Sequence, residues 1–252
     1  MQSNADLNLS TAKPLSRKIA IRAAMDADSV SQANPGLLSG VDQYNLRSLY
    51  MNNIEWYSGD QSGFESKRPW FKTFYKSKAN FFEVKEKDFF LVLNPIFQQQ
   101  ISKEKDNDET VFLNSKGLTL RGMIADRIGF SSYITDNQER GPAFMMEQVK
   151  TNYAVPGMGY FKTFKTTAVD YFDARGTIHF TAAKYLDFSF GYDKNFIGNG
   201  YRSLMLSDYS NSYLFLKINT RIWKLNYQNI FMELLPQFHQ TNDELRDKKY
   251  AA

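Results

Sequence analysis

Apolar and polar residues alternate along most of this chain from Phe81 onward. The clearest run sets Leu118, Leu120, Gly122, Ile124, Ile128, Phe130 and Ile134 against Thr119, Arg121, Arg127, Ser131 and Tyr133. A period of two predicts β-strands with one apolar face and one polar face. Phe89, Leu91, Leu93 and Phe97 share a face in the same way, with Asn94, Gln98 and Gln100 opposite. Pro95 predicts a strand end or a bulge inside that run. Further strands are predicted at Leu186, Phe188, Phe190 and Tyr192, and at Leu214, Leu216 and Ile218 before a short turn at Thr220–Ile222. A last one follows from Leu225 through Tyr227 to Phe231.

The first part of the chain reads differently. Residues 1–80 are read as an N-terminal helical and extended region, and residues 81–252 as the antiparallel strands. Helical spacing is present over Lys18–Met25 and Asp42–Trp56, separated by the turn-rich SQANPGLLSG. Aromatics and lysines cluster from Trp70 to Tyr75, a mixture suited to a membrane–water interface or a rim. A short amphipathic helix is expected over Ala143–Val149, after which YAVPGMGYF re-enters a strand. Connections of about four to six residues alternate with connections of about ten or more, as in barrels with short turns at one end and long loops at the other.

An apolar strand face requires either a soluble core or lipid to cover it, and the pattern alone leaves both open. The chain contains 21 Phe and 15 Tyr among 252 residues, which favours strands and interfacial belts. There is no run of about 18 apolar residues, hence no membrane-spanning helix. The mean hydropathy of -0.49 is still compatible with a barrel, because lumen-facing residues dilute it. Residues 1–18 hold no apolar leader core, so export is expected of a mature or trimmed chain. Cys is absent, which removes disulfides and thiolate zinc sites. The net charge of +4 is spread among acids rather than gathered into a basic face, which argues against nucleic acid as a partner.

Candidate catalytic groups are weak. His179 and His239 stand far apart, and His179 lies on a polar strand face. Asp170 and Asp173 fall in DYFDARG, read as a turn, where local hydrogen bonding explains them. Asp106–Glu109 lacks the glycine and ligand periodicity of a calcium loop. GNG at Gly198–Gly200 is too short to cradle phosphate. No enzyme, metal or cofactor is expected. Binding chemistry fares better: Arg140, Lys194, Arg202, Asp208 and Tyr209 lie on or near the two long loops, with residue types that suit carbohydrate hydroxyls and faces.

Five segments together resemble a known family: FFEVKEKDFFLVLNP, SSYITDNQERGP, DYFDARG, AAKYLDFSFGYDKNFIGNGYRSLMLSD and FLKINTRIWKLNYQNIFMEL. They are similar to the Wzi-like capsule-assembly proteins, closest to the Bacteroidota branch with its gliding-associated surface proteins of the RemB type. The likeness runs from Trp70 to Tyr250, and Gly198–Asp208 is its most specific part. It implies an all-β fold: an antiparallel transmembrane β-barrel of about 18 strands, of which this chain would be the N-terminal half, with a short helical N-terminal region. It also implies an outer-membrane protein that anchors surface exopolysaccharide or capsule as a non-enzymatic lectin, in contact with outer-membrane lipid. The alternative is a structural or adhesin-partner component of gliding motility or type IX secretion, with a protein partner. The loop motif adds Lys194, Tyr201, Arg202 and Asp208 as glycan contacts, beside Arg140 and Tyr209, and Arg121 and Arg127 are expected to face the lumen.

Overall fold

The computed structural model describes residues 12–105, 107–183, 185–201, 203, 205–222, 225–234 and 249–251. Arg202 and His239 lie outside the described residues. The elements are β1 (Ala12–Lys13), α1 (Arg17–Ala33), α2 (Gly40–Asn52), β2 (Phe82–Lys85), β3 (Phe89–Lys103), β4 (Thr110–Ile124) and β5 (Ile128–Arg140). Then come α3 (Ala143–Asn152), β6 (Lys162–Phe164), β7 (Ala168–Ala183), β8 (Leu186–Asp193), β9 (Phe196–Ile197), β10 (Tyr213–Ile222), β11 (Leu225–Leu234) and β12 (Lys249–Ala251).

One antiparallel sheet dominates. Its strands follow the order β12-β11-β10-β8-β7-β5-β4-β3-β2, with β6 on the side of β7. The sheet is an open meander in which β2 and β12 are the terminal strands. No described helix is long and apolar enough to cross a membrane. At one end, tight reversals join β2 to β3, β4 to β5, β7 to β8 and β10 to β11; at the other, the connections span 104–109, 141–167 and 194–212.

Register fixes what each face carries. The pairs Leu120–Ser132, Phe130–Ile178, Ile178–Phe190, Phe190–Leu216 and Leu216–Phe231 belong to one continuous face. It is apolar and open: Ile178, Phe190, Leu214 and Phe231 all remain exposed. The opposite face carries Ser115, Arg121, Thr135, Asn137, Asp173, Thr177, Ser189, Lys217 and Asn219, every one of them buried. This sheet therefore buries its polar side and leaves its apolar side uncovered, the reverse of a soluble sheet.

The helices help to cover the polar face. Ser16 caps α1 by accepting from the Ile19 amide, and Ser39 with Asp42 forms a capping box at α2. The apolar stripe of α1 and the end of α2 place Ile21, Ala24, Tyr50 and Ile54 against Phe90 and Val92 of β3 and Met123 of β4. This cluster is confined to the short-turn end of the first strands. Val169 and Tyr171 of β7 join Val149 and Val155 in a second apolar cluster, and Tyr213 and Phe215 of β10 are buried too. Polar side chains occupy much of the remaining covered face. Gly117 and Gly191 lie where a Cβ would collide with the Ile134 and Gly176 carbonyls, so glycine permits the close strand approach there.

Four local expectations are corrected. Pro95 neither ends β3 nor makes a bulge, because β2 pairs no further than Phe82–Leu93 and a missing N–H costs nothing on a free edge. YAVPGMGYF is not a strand: Val155 bridges Gly159 around Gly157, and both glycines adopt positive φ, 74° and 86°. DYFDARG lies inside β7 rather than in a turn, with Asp170 and Asp173 at opposite parities and hence on opposite faces. Thr220–Ile222 is strand, since β10 pairs with β11 through Ile222–Leu225.

Candidate binding surfaces

Two regions gather polar side chains: the long-connection end and the covered face. At the long-connection end, the loops lock onto one another. Glu104 accepts from the Ala143 amide at 3.0 Å and from Asn107 at 2.8 Å, tying the β3–β4 connection to the start of α3. These bonds hold its carboxyl below the usual carboxylate range. Lys194 Nζ donates to the Gly157 carbonyl at 2.8 Å and so joins the β8–β10 connection to the one that follows α3. Burial, with the Arg175 guanidinium adding to it, pushes the Lys194 ammonium down, while Asp173, Asp208 and Asp193 oppose the shift. Gly157 is also where a side chain would press on the Tyr209 carbonyl, so the two connections touch through backbone.

Arg140 is committed to the same scaffold. Its Nε lies 3.2 Å from Glu109, its Nη1 donates to the Thr110 carbonyl and its Nη2 to Thr167 Oγ1, while the guanidinium covers the Phe112 ring. Arg140 and Lys194 thus brace the loops. The other candidates stand on the outside of the β8–β10 connection: Tyr201 is 95% exposed, and Asp208 and Tyr209 are exposed nearby with Met205. Ser203 Oγ donates to the Ile197 carbonyl and accepts from the Leu206 amide, which shapes this loop, and β9 within it pairs with β1 through Ala12–Ile197. The sequence-selected residues therefore divide into Arg140 and Lys194, which are internal braces, and Tyr201, Asp208 and Tyr209, which face outward.

On the covered face, Arg121 pairs with Glu55 and donates to Asn80, both from the N-terminal region. Arg127 stands in the β4–β5 reversal, exposed, at the rim of a cavity of about 300 Å³. His179 sits between Thr177 and Ser189, with Nδ1 2.8 Å from Ser189 Oγ. Lys217 donates to the Pro14 carbonyl and to Asn195 Oδ1, which anchors the stretch before α1. A second cavity of about 460 Å³ is lined by Arg17, Arg121, Arg175 and Tyr133 among others. Reading DYFDARG as a turn hid Arg175, although its parity with His179 was available. Arg17, Glu55 and Asn80 carry no pattern in the sequence that marks them.

Among the described residues no three His, Asp or Glu side chains are grouped as a metal site. No protein-family model, curated protein or solved structure matches this chain.

Proposed function

We propose that this chain forms part of an outer-membrane β-barrel that holds surface polysaccharide without turning it over. The observation that carries this reading is the reversed sheet. An apolar band crosses β3, β4, β5, β7, β8, β10 and β11, exposed on each of these strands but β5, where it is half-buried, while Arg121, Lys217, Asn137 and Asn219 are buried on the other side. In water such an apolar face is a liability far beyond the patches that monomers leave open, whereas lipid covers it without further partners. Tight reversals at one end and long connections at the other support the same reading, and the helices then occupy the lumen as a plug. Among the described residues the short β2 and β12 leave most of the outer edges of β3 and β11 unpaired, which lipid does not tolerate, so further strands close the sheet in the membrane.

The polysaccharide assignment rests on the braced loops at the long-connection end. Arg140, Lys194 and Glu104 fix these loops, and Tyr201, Asp208 and Tyr209 are presented from them. Aromatic faces cover the apolar side of a sugar ring and the carboxylate accepts from its hydroxyls; many such weak contacts along a repeating polymer add up through avidity. Fractionation of the full-length protein and heat-modifiability on a detergent gel test the barrel, and cell-surface retention of polysaccharide tests the binding. The expected results are a membrane-bound band whose mobility shifts on boiling, and retention that falls when Tyr201 and Tyr209 are both replaced by Ala. A soluble, unshifted protein contradicts the barrel, and unchanged retention contradicts the glycan role.

A further inference from the structure

The larger cavity on the covered face has an electrostatic bias that the loop-based reading does not use. Its lining holds three guanidinium groups, Arg17, Arg121 and Arg175, against one carboxylate, Asp193. The three arginines come from different elements, α1, β4 and β7, and converge on one space of about 460 Å³. They are not equally committed. Arg121 is spoken for by Glu55 at 3.2 Å and by Asn80 at 2.9 Å. Arg175 reaches Asp173 at 3.0 Å and Asp193 at 3.8 Å and lies over the Tyr133 ring at 4.5 Å, and its Nε is buried without a hydrogen-bond partner. Arg17 is exposed to the cavity. It donates to the Asn52 carbonyl at 3.3 Å and to Asn53 Oδ1 at 2.6 Å, and among the described residues it makes no ion pair.

The geometry points to an anion subsite in this cavity that takes the carboxylate of a uronic acid unit, so that the glycan is acidic. The assignment rests on the polysaccharide reading and narrows its substrate class. A planar guanidinium matches a carboxylate in two parallel hydrogen bonds, and Arg17 supplies one. Among the described residues no carboxylate pairs with it directly, and the Glu55 charge acts on it only from beyond ion-pair distance. The walls provide the second requirement. Asn52, Thr119 and Ser131 offer hydroxyl and amide partners to a sugar's hydroxyls. The volume falls within the range of small-ligand sites. Tyr133, held flat under Arg175, adds a rigid wall, so little order has to be imposed when a sugar enters.

Calorimetric titration of the full-length protein in detergent tests this, with oligogalacturonate and a neutral maltooligosaccharide of equal length as probes. The acidic probe is expected to bind about tenfold tighter or more, which corresponds to one charge-assisted contact, and the margin should shrink with added salt. Arg17→Gln should abolish the margin without changing affinity for the neutral probe, and Arg17→Lys should keep part of it. Arg175→Gln also strands Asp173, so Arg17 is the decisive position, and an unchanged mobility shift on boiling checks that the variant folds. Equal affinity for both probes, or a margin that survives Arg17→Gln, overturns the subsite while glycan binding stands. Binding of neither probe overturns the subsite and the polysaccharide reading together.

Discussion

Arg121 of β4 and Glu55, just beyond α2, form an ion pair at 3.2 Å with both side chains almost fully removed from solvent. It is the polar counterpart of the apolar cluster a turn away, and it fastens the N-terminal region to the sheet through a contact 66 residues apart in sequence. The second Glu55 oxygen is buried without a partner, so the pair is held rather than fully satisfied.

Removing one member of that pair leaves the other charge buried and uncompensated, which costs about 3–5 kcal/mol. Glu55→Gln should therefore lower the denaturant midpoint of the purified protein sharply. Glu55→Gln combined with Arg121→Met should recover a large part of the loss. A double variant as unstable as the single one contradicts this account of what fastens the helices.

The exposed apolar band makes opposite predictions in water and in lipid. Phe190 is 51% exposed, and in a soluble protein Phe190→Arg would change stability by no more than about 0.5 kcal/mol. In a bilayer the same change near mid-depth costs about 2–4 kcal/mol. Equilibrium unfolding from lipid vesicles measures the difference.

Helix capping gives a smaller, local effect. Ser16 accepts from the Ile19 amide at 3.2 Å, and Ser16→Ala should cost about 1 kcal/mol. Hydrogen exchange should show the loss in the first turn of α1 and leave β4 and β5 unaffected.

Glu104 links two loops and its carboxyl is held below the ordinary range by the bonds it accepts. A depressed carboxylate contributes its stabilisation above its unfolded pKa, about 4.3, and the contribution fades as pH falls through the lower folded value. The Ala143 amide should accordingly lose protection, measured against its intrinsic exchange rate, as the pH is taken below about 4. Glu104→Gln should show that loss of protection already at neutral pH, and an amide insensitive to both changes argues against the link.

The strands were legible because their alternation is strict. Leu118 to Ile134, and Leu186 to Tyr192, sit on the face that a period of two assigns them. Alternation does not reveal which face is covered, since that depends on where α1 and α2 pack. The failures have local causes. Pro95 is tolerated because it falls on a free edge, which no sequence window shows. Pro156, Gly157 and Gly159 override the aromatics in YAVPGMGYF, and the acidic residues of DYFDARG read as a turn because their neighbours across the strands were not visible. Among site residues, exposed Tyr201 and Tyr209 follow from loop composition. Whether Arg140 and Lys194 brace the loops or meet a ligand depended on Glu109 and Gly157, partners in separate connections.

The most direct test of the reversed sheet uses the absence of cysteine from the chain. Single cysteines placed in turn at Leu186, Asp187, Phe188, Ser189, Phe190, Gly191 and Tyr192 of β8, with any cysteine elsewhere in the full-length protein replaced by Ser, can each carry a spin label in that protein reconstituted in lipid. The account predicts that oxygen dissolved in the bilayer reaches labels at Leu186, Phe188, Phe190 and Tyr192 and is shielded from those at Asp187, Ser189 and Gly191. Accessibility without this two-residue period, or with the phases exchanged, contradicts a sheet that turns its apolar face to lipid.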